Sequence, residues 1–224
     1  VYKRQMCVGI NTSFAISAAI ILLIFHAVSK ALLFMAVGVV KQEDHTLDIE
    51  EMENLRTKRP FVAASIAIGV FTIMLPPFGM FAAKWLITEA ATVFPIALFM
   101  LALGSAVTAV YYAKWLGRVL SVGAAHELPP AIRSRLSSIY KLTLGALAVG
   151  AVGLSATIFL VVRYLVSPYS ELLYGETPIE TGGISISNPY GAFPVIAMMA
   201  ALGVALLISM RLVRVRAENI TTPY

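Results

Sequence analysis

The sequence predicts an all-α protein: a polytopic transmembrane bundle of five helical spans, one of them broken at Pro76-Pro77. Three observations carry this. First, 59% of the 224 residues are hydrophobic and 13% are charged, with a mean hydropathy of +0.84. Soluble domains run at about 45–50% apolar and roughly 25% charged residues. Second, the apolar letters fall in unbroken runs as long as the ~20 residues a membrane helix needs. A membrane barrel would instead alternate in segments of about ten. Third, basic residues alternate between successive loops. Together these exclude a water-soluble globular fold and a disordered chain.

Span A runs from about Asn11 to Val40, and span B from Phe61 to about Thr92 across the two prolines. Span C runs from Val93 to Leu120, span D from Ile139 to Val166, and span E from Ala192 to Val213. Spans A and B exceed the ~20 residues required, so tilt, a break or overhang absorbs the excess. The A–B loop holds Lys41, Arg56, Lys58 and Arg59; the B–C connection holds no basic residue. The C–D loop with its flanks holds Lys114, Arg118, Arg133, Arg135 and Lys141, and the tail holds Arg211, Arg214 and Arg216. The positive-inside rule then puts A–B, C–D and the tail in the cytoplasm of a cell-membrane protein, with the start outside and the end inside.

Between the spans, His126 to Tyr140 reads as a short amphipathic segment on the inner surface. Ser167 to Pro194 reads as an outer loop rich in turn formers. Ala146, Gly150, Gly153 and Thr157 share one face of span D and predict a ridge for close helix packing. Trp85, Trp115, Tyr112, Tyr164 and Tyr169 are expected at interfaces, as are the anchors Lys114, Arg118 and Arg163. The stretch from Lys41 to Arg59 reads as a solvated loop. A single cysteine, Cys7, excludes an internal disulfide, and His26, His45 and His126 lack metal-ligand spacing. The net charge of +5 fits basic cytoplasmic loops rather than nucleic-acid binding. No cofactor is expected on this chain. Val1 to Gln5, VYKRQ, resembles read-through of a sequencing adapter. Lys3 and Arg4 are therefore left out of the charge count, and the remainder reads as the C-terminal part of a longer protein.

Ionisable groups inside the spans point to function. Lys30 lies ten residues before Val40, or about 15 Å at ~1.5 Å per residue, half the thickness of the hydrocarbon core. Insertion of a lysine there costs about 2.5–3.5 kcal/mol. His26, at i−4, shares its face, and an imidazole and an amine so stacked can relay a proton through water. A low-dielectric slab disfavours the ammonium, which lets the amine exchange its proton. The competing reading is a structural lysine paired with an acid on a missing helix. Lys84 follows the Pro76-Pro77 break by seven residues. Broken helices at membrane depth occur where backbone lines a cavity or is buried in protein. If span B ended near Ala83, Lys84 would instead snorkel to the outer interface. Glu89 is the nearest acid toward the outer side. Tyr111 and Tyr112 could border a wet channel, but the commoner reading is interfacial aromatics.

At these residues the chain resembles the antiporter-like membrane subunits of respiratory complex I. Their relatives include Mrp-type sodium/proton antiporters and energy-converting membrane-bound hydrogenases, and the short B–C loop and the run GSAVTAVYYAKWLGR, Gly104 to Arg118, look closest to the hydrogenase-associated branch. FHAVSKALLFMAVG, Phe25 to Gly38, looks like the family's His-containing helix. LPPFGMFAAK, Leu75 to Lys84, looks like its broken helix, in which a lysine follows a double proline and a glycine turn. The sequence departs from the pattern at Met74 and Met80, where relatives carry glycine, and Gly79 sits one place early. The resemblance implies that residues 1–120 are part of the second repeat of the antiporter-like domain and 121–224 are extra C-terminal helices. It implies His26, Lys30 and Lys84 as ion-path residues, with protons or Na+ as the cargo; Glu89 joins the candidates only as the nearest acid to Lys84. It implies partner subunits of a redox or antiporter complex that carry any redox centre. A stand-alone Mrp-type antiporter and a non-transporting scaffold are the rival readings.

Overall fold

The computed structural model describes residues 2–121 and 136–220. Helix α1 spans Tyr2–Ile10, and α2 spans Ser13–Asp44. The Thr12 side chain caps α2 by accepting the Ala15 N–H at 3.2 Å, a favoured N-cap arrangement. The helix ends at His45, whose φ of 56° is left-handed. A short helix α3, Leu55–Lys58, leads into α4, Pro60–Met74, with its proline in the first turn where no N–H is needed. Residues Leu75 to Phe78 break the helix around a cis Pro76-Pro77 bond, and α5 resumes as Gly79–Ala90. A 3-10 turn joins it to α6, Pro95–Leu120.

Beyond the undescribed stretch, α7 spans Ser138–Ala156. A short α8, Ile158–Val161, a π-helical turn Val162–Val166 and α9, Ser167–Tyr174, follow. Three strands, β1 Glu180–Gly182, β2 Ser185–Asn188 and β3 Gly191–Phe193, form an antiparallel meander. Glu180 pairs with Ser187, and Ile186 with Phe193. Helix α10, Val195–Ile220, closes the described chain.

The stretches Ser13–Asp44, Pro60–Val93, Pro95–Leu120 and Ser138–Ala156 are long and apolar enough to cross a membrane. The protein is an all-α, multi-pass membrane bundle. The fifth expected span differs in length: α10 contributes an apolar run of Val195–Ser209. The expected outer loop 167–194 is built as α9 plus the meander rather than as irregular chain. Most of the expected amphipathic segment from His126 lies outside the described residues; its last part, from Ser138, is the first turn of α7.

Helix α2 is the hub. It packs on α4, α5 and α7, burying Leu22, Phe25, Leu32 and Leu33. Gly69 of α4 permits close approach, because a Cβ there would stand 2.6 Å from Leu33 Cδ2. The small-residue ridge expected on α7 is not the packed stripe. Leu144, Ala148, Ala151 and Ser155 are buried instead, while Ala146, Gly150 and Gly153 are exposed. Both stripes have helical spacing, and only the neighbours select between them.

One end of the bundle is a charged clasp. Buried Arg59 pairs with Glu43 at 3.2 Å and Asp44 at 3.0 Å, joining the end of α2 to the start of α4. The solvated loop expected here thus contains a buried cation. Arg118 at the end of α6 pairs with Glu50 and Glu53, and Lys114 with Glu50 at 2.7 Å. The Lys114 hydrogen bond, with Arg118 beside it, holds the Glu50 carboxyl below the usual carboxylate range. Trp115 donates to Met52 Sδ, and Tyr140 of α7 to Gln42. The opposite end is tied by Ser13 to Glu176 and by Tyr174 to Asn11 at 2.7 Å. The end of α2, the start of α4, the end of α6 and the start of α7 therefore lie at one end of the bundle.

Candidate functional site

The break in the second span is set by backbone chemistry. In a continuous helix the Ile73 carbonyl would accept from the N–H of residue 77, and Pro77 has none. The Lys84 ammonium takes that place: its Nζ donates to the Ile73 oxygen at 2.8 Å. One helical turn and a half into α5, Lys84 thus reaches back across the break to the carbonyl that the proline leaves open. A charge-assisted hydrogen bond of this kind is among the stronger ones. The start of α5 is held by contacts from two other helices. Gly79 lies against Phe25 of α2 so closely that a Cβ would sit 2.2 Å from the ring. The Gly79 N–H donates to Ser155 Oγ of α7 at 3.3 Å. Gly79 therefore serves close packing rather than a turn with positive φ.

His26 and Lys30 lie on one face of α2. Lys30 has roughly 26 Å of helix before it and about 21 Å after it at ~1.5 Å per residue, which keeps it near mid-helix. Its Nζ stands 5.7 Å from the Tyr112 ring centre and 6.0 Å from that of Phe34, both within the range of cation–π attraction. Next to it, Ser29 accepts from Thr72 of α4 at 3.0 Å, so the two helices are linked at this level by a buried polar pair.

These three residues are brought together. His26, Lys30 and Lys84 line a single cavity of about 390 Å³ between α1, α2, α5 and α6. Its wall on α6 is a stripe of Leu101, Gly104, Thr108, Tyr111 and Tyr112. Lys3, Arg4 and Met6 of α1 close another side, and Lys3 Nζ donates to Ser105 Oγ at 2.7 Å. Among the described residues no carboxylate pairs with Lys30 or Lys84.

Two differences from the sequence reading stand out. Tyr112, expected at an interface, is buried in the cavity wall, 2% exposed. The signal that could have found it is the polar stripe Gly104, Thr108, Tyr111 and Tyr112 at helical spacing on an otherwise apolar helix. Glu89 does not line the cavity. It sits at the other end of α5, where its carboxylate accepts from Asn188 Nδ2 of β2.

Comparison with known proteins matches this region. Residues 5–110 match the family described as NADH:quinone oxidoreductase/Mrp antiporter, transmembrane. A hydrogenase-4 component F homolog of Methylacidiphilum infernorum is 29% identical over 84 residues, 37% of this chain and 18% of that protein. A Na(+)/H(+) antiporter subunit of Bacillus subtilis is 42% identical over 71 residues, 31% of this chain and 9% of that protein. Hydrogenase-4 component B of Escherichia coli is 38% identical over 64 residues, 28% of this chain and 10% of that protein. Each match thus spans less than a fifth of the relative's length.

Proposed function

From the premise that residues 5–110 belong to the NADH:quinone oxidoreductase/Mrp antiporter family of membrane subunits, we propose that this chain carries the outward part of an ion path. In this reading it serves a proton-translocating subunit whose transport is coupled to redox chemistry in partner subunits. His26 and Lys30 pass charge along α2. Lys84 holds a proton beside the broken helix and releases it when the charge on its neighbours changes. Coulomb coupling between such sites is strong where the surroundings are poor in water. Release against a membrane potential costs about 2.3 kcal/mol per charge per 100 mV. The A–B and C–D loops and the tail face the cytoplasm of the cell membrane, by the distribution of basic residues.

The observation that carries the reading is the shared cavity. The His26 imidazole and the Lys30 amine of α2 and the Lys84 amine of α5 line one space beside a broken membrane helix. An amine at membrane depth without a function is expensive to keep. Lys84 supports the reading most directly, because its ammonium occupies the break itself. The test is Lys84→Ala in the full-length subunit, assembled with its partners in vesicles. Ion uptake is expected to be lost while assembly survives; normal uptake would reject the assignment.

A second reading is a subunit of a Mrp-type Na+/H+ antiporter without redox coupling. The 42% identity to the Bacillus subtilis antiporter protein favours it as directly as the hydrogenase matches favour the first. Neighbouring genes discriminate: hydrogenase or dehydrogenase genes support redox coupling, and a cluster of antiporter subunits alone supports the second reading.

A further inference from the structure

The half-helix that carries Lys84 is gripped at both ends by chain outside the family match. Its first N–H groups have no partners within the helix, and the N-cap residue Phe78 supplies no side-chain hydrogen bond. Ser155 fills this role from α7. It is 1% exposed, donates its own proton to the Ala151 carbonyl at 2.9 Å, and so turns a lone pair toward the Gly79 N–H.

At the far end, Glu89 places a carboxylate in the last turn of α5, where the helix dipole disfavours negative charge. Asn188 answers it from β2. Its Oδ1 accepts the backbone N–H groups of Tyr190 and Gly191, each at 2.9 Å, which leaves its Nδ2 to donate to Glu89. Between these ends, Phe193 of β3 stacks on Trp85, with ring centres 6.0 Å apart and planes 23° apart.

We propose that Ser155 and Asn188 are positioning residues: they clamp α5 at its two ends and so hold the Lys84 side chain toward the cavity. The inference rests on reading Lys84 as the ion-carrying amine, but its test does not measure transport. In the full-length subunit, in its membrane and with native cysteines replaced, Lys84→Cys is labelled with a water-soluble maleimide. Ser155→Ala and Asn188→Asp are each expected to slow labelling by about three- to tenfold, the span of a lost cap or a lost charge-assisted hydrogen bond. Asn188→Asp keeps the turn acceptor but sets a second carboxylate against Glu89. Adding Glu89→Gln reverses donor and acceptor, and labelling should return to within about twofold of the parent. An unchanged rate in both single variants, or a slowed Asn188→Asp that Glu89→Gln fails to restore, overturns the clamp. If Lys84→Ala leaves ion uptake intact while labelling still depends on Ser155 and Asn188, the transport reading falls and the clamp stands.

Discussion

Gly79→Ala tests the geometry of the broken helix directly. A Cβ at Gly79 would stand 2.2, 2.3 and 2.5 Å from three carbons of the Phe25 ring. Carbon atoms in contact prefer about 3.5–4.0 Å, so the ring or α5 has to withdraw by more than about 1 Å. Phe25 is 2% exposed and packed within the core, so its ring cannot swing out into solvent. Overpacking of this kind costs about 1–3 kcal/mol, and the depth of the overlap puts Gly79→Ala at the upper end. The assay is denaturant unfolding of the purified protein in detergent for Gly79→Ala, Phe25→Leu and the double variant. Phe25→Leu alone removes part of a buried ring and costs less than the ~3–5 kcal/mol of truncation to alanine. Together the two changes should couple favourably by about 1–2 kcal/mol, within the range seen for residues in contact. A Gly79→Ala protein within about 0.5 kcal/mol of the parent, or strictly additive effects, would refute the packing argument.

Other outcomes follow from the charged end and the site. Arg59→Ala takes the shared guanidinium away from Glu43 and Asp44 and should cost about 1–3 kcal/mol, since the carboxylates keep some contact with water. The same unfolding assay reads it, and no loss would show the pair to be incidental. The Glu50 clasp should respond to acid. Its folded-state carboxyl is held below the ordinary range, so its contribution is present above the usual Glu value of about 4.3 and is lost as pH falls through the lower folded one. Trp115 emission, reporting on the adjacent Met52 contact, should hold steady from neutral pH to about pH 5 and change only below about pH 4. A transition centred above pH 5 would contradict this, and high salt should weaken the clasp because its groups are exposed.

Much of the architecture was legible because membrane insertion imposes a coarse rule. A run of apolar residues long enough to span has one stable backbone solution, the helix, so α2, the broken α4–α5 pair, α6 and α7 were readable from periodicity and length alone. The break was readable too, since two prolines remove two donors whatever surrounds them. His26, Lys30 and Lys84 announced themselves by the cost of placing them among apolar neighbours. The packing of these elements was not legible in the same way. Two stripes of small residues on α7 have equal helical spacing, and Ala148, Ala151 and Ser155 were chosen because α2 and α4 lie on that side. Tyr112 looked interfacial by type, and only its orientation toward Lys30 showed it lining the cavity. Nothing local in SISNPYGAF, Ser185 to Phe193, announces a strand pair docked on α5, because that meander is stabilised by Phe193, Trp85 and Phe81 across a long separation.

The sequence by itself determined which segments enter the membrane, where one of them must break, and which amines pay for being there. Those properties depend on transfer free energy and missing backbone donors, and both belong to a residue and its immediate neighbours. Tertiary structure alone decided that Lys84 turns back to the Ile73 carbonyl and shares a cavity with His26 and Lys30, while Glu89 is held apart by Asn188. Those outcomes depend on which faces of distant helices meet, a property of packing that no stretch of local sequence contains.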